Sequence, residues 1–251
     1  NPAFTLTSKD RIHPQATGHF VMFYKFLKDK NAVKYVSKIA ISKNKKKNNL
    51  PIKCNIHSIE KTPFGLKFNV LEKSLPFPTV TNQQEALQLV PFTTEFNQQI
   101  LQIDGLKKNK YQLSIDEKAI AIFSGEQLKT GVNLSEIQTT PQYLQALKVR
   151  NILVELWNYE SKLRGIKFIE YNPYFKNVNK NDRLEKQKQV LDSIFTVKYA
   201  SNLNFYLHKS KDYFNNKALE NEFKIKSDSL RKAAFKAAQP VVHTFKIITT
   251  K

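Results

Sequence analysis

Between positions 33 and 123, apolar and polar residues alternate in short runs, the signature of strands that turn one face to a core. Val36 to Ile41, Ile52 to Ile56 and Leu66 to Val70 carry the pattern first, and Ile100 to Ile103, Tyr111 to Ile115 and Ala119 to Phe123 follow. A half-buried antiparallel sheet is the expected product. Asp104-Gly105 and Lys108-Asn109 supply turn chemistry for a hairpin. Ser74 to Pro78, with two prolines, must be loop or edge. Gln83 to Gln88 and Phe92 to Gln99 read as short helical interruptions.

The flanks have a different period. Phe20, Phe23, Phe26 and Leu27 recur at spacings near three and four, which predicts a short helix from His19 to about Lys28 or Lys30. From Gly131 onward the helical period returns. Thr140 is placed to cap a helix with Pro141 at its first position, and Leu144, Leu147, Leu153, Leu156 and Leu163 form its apolar stripe. Gly165 weakens that helix near its end, and Tyr171 to Phe175 breaks it. Asp182 opens a second helix running to about Ser210; a third covers Lys217 to Ala238 and stops at Pro240. The tail from Val241 to Ile248 alternates weakly, as a final strand or a docked extended end. The fold class is therefore α+β, in three regions: a loop and helix over 1–32, a sandwich-like β unit over 33–130, and a helical region over 131–251.

Composition narrows the classes. At 251 residues and 41% hydrophobic content the chain can bury a substantial core, and no run approaches the roughly 20 apolar residues of a membrane span. A single cysteine, Cys54, excludes an internal disulfide and any cysteine-based metal cluster. It alternates with Ile52 and Ile56, as a small buried hydrophobe does. The net charge of +20 attracts anionic surfaces. The charge is nearly all lysine, however, with arginine only at Arg11, Arg150, Arg164, Arg183 and Arg231. Nucleic-acid readers favour arginine's planar fork, so nucleic acid is a disfavoured partner, behind acidic polysaccharide or a membrane surface. The dense run Lys43 to Lys47 reads as a solvated hairpin tip.

The chemistry concentrates near the start. In Asp10-Arg11-Ile12-His13-Pro14, a carboxylate three residues before a histidine in a loop can accept a hydrogen bond from one imidazole nitrogen. The other nitrogen is left free to act as a base. Pro14 pushes His13 toward an extended backbone, and Gly18 permits a positive φ before the helix. This segment, continued by Thr17-Gly18-His19-Phe20, resembles the last catalytic block of the SGNH (GDSL-type) hydrolases. The likeness extends through Ser74-Leu75-Pro76-Phe77-Pro78, Leu89-Val90-Pro91-Phe92, Gly131-Val132-Asn133-Leu134 and Thr140-Pro141-Gln142-Tyr143, which look like a bacterial subgroup with a long C-terminal extension.

The resemblance implies that His13 is the general base of an ester hydrolase, Asp10 its orienting partner, and His19 a structural residue at the helix start. It also implies the end of an α/β catalytic domain within residues 1–32, a periplasmic or extracellular location, and an ester substrate, with acylated glycan as the family-level expectation. The family's nucleophile lies in a Gly-Asp-Ser element, and its oxyanion hole takes a Gly and an Asn from two further blocks. No serine here has Gly-Asp-Ser or Gly-x-Ser-x-Gly flanks, Ser124-Gly125 included. With Asn1 in place of an initiator methionine, the chain is expected to be the C-terminal portion of a longer protein, inactive alone. An upstream segment or a separate chain would supply the serine. The alternative is a non-catalytic binding or assembly module with a basic surface.

Other candidates are thin. His57, His208 and His243 stand without a partner at metal-ligand spacing, no phosphate loop is present, and neither a metal nor a cofactor is expected. Asp192 and Glu185 read as surface charges. Trp157, Tyr159, Tyr171, Tyr174 and Phe175 read as packing material, with a sugar-binding face as the competing role.

Overall fold

The structure, a computed structural model, describes residues 5–8, 10–43, 50–107 and 109–250. The chain forms two compact units: one extends to Lys148 and resumes at Ala238, the other comprises Val149–Ala237. This division by contacts cuts across the three regions read from the sequence. The reasons are the last strand, which returns to the first unit, and a helix that crosses position 148.

The first unit begins with a loop and helix α1 (Ala16–Asp29). Strands β1 (Tyr35–Ser42), β2 (Cys54–Thr62) and β3 (Gly65–Glu72) follow, then short helices α2 (Gln84–Leu89) and α3 (Phe92–Phe96). After them come β4 (Gln98–Asp104), β5 (Lys110–Ile115), β6 (Lys118–Ser124), α4 (Gly125–Thr130) and β7 (Val132–Asn133). Helix α5 (Pro141–Glu170) starts where Thr140 and Pro141 predict: the Tyr143 amide donates to Thr140 Oγ1 at 3.3 Å. The final strand is β8 (Val242–Thr249).

Two sheets share the strands, in the orders β1-β4-β7 and β2-β3-β8-β5-β6. The second is antiparallel throughout, but β1 and β4 run parallel, with Ile39 opposite Leu101. Parallel neighbours need a long crossover, and β2, β3, α2 and α3 supply it between them. Asp104-Gly105 is a turn, with Gly105 at φ 80°, but it links strands of different sheets, so no hairpin forms there. Lys108 and positions 44–47 of the lysine run lie outside the described residues. Both sheets face one core, in which Ile39, Leu101 and Ile103 meet Leu66, Phe68, Leu113, Phe245 and Ile247. β8 completes it from the middle of the larger sheet, its Phe245 ring stacked on Phe68 at 5.4 Å.

The second unit is helical: the later part of α5, then α6 (Leu184–Lys198), α7 (Leu203–Asn216) and α8 (Glu220–Ala237). The single helix expected from Asp182 to Ser210 is broken at Tyr199, whose ring stacks on Tyr206 at 3.7 Å. The leucine stripe is also corrected, since Leu144 and Leu153 are exposed while Leu156, Ile166 and Ile169 are buried. Asp192 is more than a surface charge: it accepts from Ser210 Oγ at 2.5 Å and ties α6 to α7. Lys217 donates to Glu170 and Glu220, and with Lys224 it holds the Glu220 carboxyl down to about 2.

Candidate active site

Residues 5–8 and 10–15 belong to a closed loop before α1. Thr7 and Pro14 pair as an antiparallel bridge, the Ser8 amide donates to the His13 carbonyl at 2.8 Å, and the Arg11 amide to the Ser8 carbonyl at 2.9 Å. Arg11 takes a left-handed conformation, φ 57°, at the tip. Asp10 is held from several directions. Its Oδ1 accepts the amides of Ile12 (2.9 Å) and His13 (3.1 Å) and the Ser8 hydroxyl. Its Oδ2 lies 2.6 Å from His13 Nδ1.

The Ser8 hydroxyl, then His13 and the two amides, hold the Asp10 carboxyl well below the usual carboxylate range. Asp10 is therefore charged across neutral and mildly acidic pH. With Nδ1 engaged on that carboxylate, Nε2 of His13 is the nitrogen left to take or give a proton. The His13 side chain is 78% exposed, so this nitrogen is open to a reactant. Ser8 was missed by sequence reading. Its oxygen is turned to Asp10, which makes it a support for the carboxylate.

α1 fixes this loop to the first unit. Thr17 Oγ1 donates to Glu85 at 2.6 Å and Tyr24 Oη to Glu95 at 2.7 Å, while Phe20 packs edge-on against Phe77 and Phe92. Phe26, expected on the apolar face, is exposed, and Tyr24 is buried in that face. Gly18 also departs from expectation. It lies inside α1, where a Cβ would come within 2.1 Å of the Leu6 carbonyl oxygen. Its use is close approach of loop and helix rather than a positive φ.

Gly18→Ala therefore tests the seat of the loop. Alanine normally stabilises a helix interior relative to glycine by roughly 1 kcal/mol. Here the clash reverses the sign, and a loss of about 1–3 kcal/mol is expected in urea unfolding. A gain in stability would show that the loop does not press on the helix.

The other histidines fall elsewhere. The His19 side chain is exposed, its backbone N–H donating to the Gln15 carbonyl, and His57 is exposed on β2. His208 Nε2 lies 3.3 Å from Asp212. His243 is not isolated: its Nδ1 is 2.6 Å from Asp116 Oδ2, a third Asp–His pair, joining residues 127 positions apart. His243 is only 7% exposed, too enclosed in this structure to meet an ester. Burial raises the Cys54 thiol to about 11, in keeping with an unreactive core residue. Among the described residues, no three His, Cys, Asp or Glu side chains gather as a metal site, and no helix is long and apolar enough to cross a membrane.

No protein-family model and no curated protein matches the chain. Its fold is shared with part of a solved enzyme. Among solved structures it is similar to a gut microbial diltiazem-metabolizing enzyme, with TM-score 0.84 and 29% identity over 100% of this chain and 58% of that one. The chain thus spans 58% of its neighbour's length.

Proposed function

We propose that this chain carries the base-and-orienter half of a serine ester hydrolase of the SGNH type, working on a serine supplied from outside the 251 residues. The observation that carries the reading is the 2.6 Å contact of Asp10 Oδ2 with His13 Nδ1, made by a carboxylate already fixed through Ser8, Ile12 and His13. Such a pair sets the tautomer that leaves Nε2 basic. His13 Nε2 takes the serine proton as the serine oxygen attacks the ester carbonyl, and returns it to the departing alcohol. It then takes a proton from water as the water oxygen attacks the acyl-enzyme carbonyl, and returns that proton to the serine oxygen as the serine–acyl bond breaks, which frees a carboxylic acid and restores both the serine and the base.

The structural neighbour, a diltiazem-metabolizing enzyme, supports an enzymatic reading of this chain. The exposure of His13 suits a base that meets a nucleophile from another segment.

The test uses p-nitrophenyl acetate. The chain alone is expected to be silent, whereas the protein that includes the preceding segment turns the ester over. His13→Ala should then lower kcat by roughly 10²–10⁴-fold, the usual worth of a general base. Turnover by the chain alone that survives His13→Ala would overturn the proposal. A complete protein without a serine labelled by fluorophosphonate would favour the non-catalytic binding module.

A further inference from the structure

Five of the six glycines have an evident backbone reason. Gly18, Gly65 and Gly125 sit where a Cβ would collide with a carbonyl oxygen, and Gly105 and Gly131 have positive φ. Gly165 has neither: it lies within helix α5, and a Cβ there would meet nothing within 4 Å. Glycine is a poor helix residue, so the position carries a cost that neither packing nor backbone conformation requires. What it provides is space. Gly165 lines a cleft of about 410 Å³ between α5 and α7 in the helical unit, within the size range of small-molecule sites.

The walls of this cleft combine an aromatic ring with amides and charged groups. Trp157, 60% exposed, offers the aromatic face opposite the Arg164 guanidinium, which lies 5.6 Å from its ring centre; Asn158 offers an amide, and Asn216, whose Nδ2 donates to the Asp212 carbonyl at 2.7 Å, keeps its Oδ1 to accept. Lys162 and Lys209 line it too, their ammonium groups held over the rings of Phe223 (4.9 Å) and Phe205 (5.4 Å). Asp212, also in the lining, lies against His208. A planar ring for C–H faces, amides for hydroxyls and placed ammonium groups for a carboxylate together suit a polyhydroxylated ring bearing an acid. We propose that the α5–α7 cleft is a binding site for an acidic saccharide unit, opened by Gly165. It stands independently of the Asp10–His13 reading.

Trp157 is the only tryptophan of the chain, so its fluorescence reports on the cleft directly. Titrating the full chain with tetragalacturonate is expected to give a saturable change in emission, with at least tenfold weaker binding of maltotetraose. Gly165→Leu should fill the cleft and abolish the response while raising Tm by about 2–4 °C, because a strong helix former replaces glycine. A lowered Tm would mean that the position is structural and overturn the assignment. So would an absent response to both saccharides, or an undiminished one in Gly165→Leu. Equal responses to the two saccharides would overturn the acidic part, and an equal response to linear polyphosphate would reduce the site to a simple attraction of charge.

Discussion

Asp10→Asn, introduced into the serine-complemented enzyme, is expected to lower kcat on the order of 10³–10⁴-fold while the protein stays folded. The asparagine oxygen can still accept the Ile12 and His13 amides that Oδ1 accepts now, so the loop retains its bridge between Thr7 and Pro14. The change falls on Oδ2, the atom 2.6 Å from His13 Nδ1. An NH₂ group placed there donates where a carboxylate accepted, which favours the tautomer with its proton on Nε2. The nitrogen that must receive the serine proton is then occupied. Esterase kinetics beside near-UV circular dichroism check this, and an Asp10→Asn enzyme within tenfold of the parent would remove Asp10 from the mechanism.

The pH dependence has a definite sign. The folded-state value of Asp10 is depressed, so its contribution to the loop is fully present above the ordinary carboxylate range. It is lost only as pH falls through the lower, folded value. Mild acidification should therefore leave the Asp10 cradle intact.

Glu72→Ala is expected to destabilise the first unit by about 3–5 kcal/mol, a large share of the roughly 5–15 kcal/mol that holds a domain folded. Glu72 ends β3, is 5% exposed, and accepts from three elements. Gln99 Nε2 on β4 donates to its two oxygens at 2.9 and 3.1 Å, Gln142 Nε2 on α5 donates at 2.7 Å, and the Ser37 hydroxyl on β1 also donates. Alanine would leave all three donors buried without their acceptor, and each such loss costs about 1–3 kcal/mol. The shared site makes the sum less than additive. Glu72→Gln keeps the shape but turns an NH₂ toward amide donors, so a smaller loss, about 1–3 kcal/mol, is expected. Urea unfolding measures both, and a Glu72→Ala protein within 1 kcal/mol of the parent would show that these contacts are not coupled to stability.

Much of the candidate site was legible because it is local. Asp10 and His13 lie three residues apart, a spacing that lets their side chains meet in a loop, and the bridge between Thr7 and Pro14 closes that loop. Ser8 is as near, yet its role could not be read, since a serine two residues from an aspartate has many rotamers and only the closed loop selects one. The pair of Asp116 and His243 carries no sequence signal. Its partners are 127 positions apart and meet because β8 enters beside β5.

The chain alone determined most of its strands and the start of its long helix α5 through the periods of its apolar residues and the cap at Thr140, because those periods follow from backbone geometry; the break at Tyr199 between α6 and α7 left no such mark. It also determined the Asp10–His13 pair, through short-range sterics. Only the tertiary structure decided that β1 and β4 run parallel, that β8 fills the centre of the larger sheet, and that Glu72 gathers donors from β1, β4 and α5. Those outcomes depend on which apolar faces bury one another best, an energy summed over residues far apart in the chain that no local pattern records.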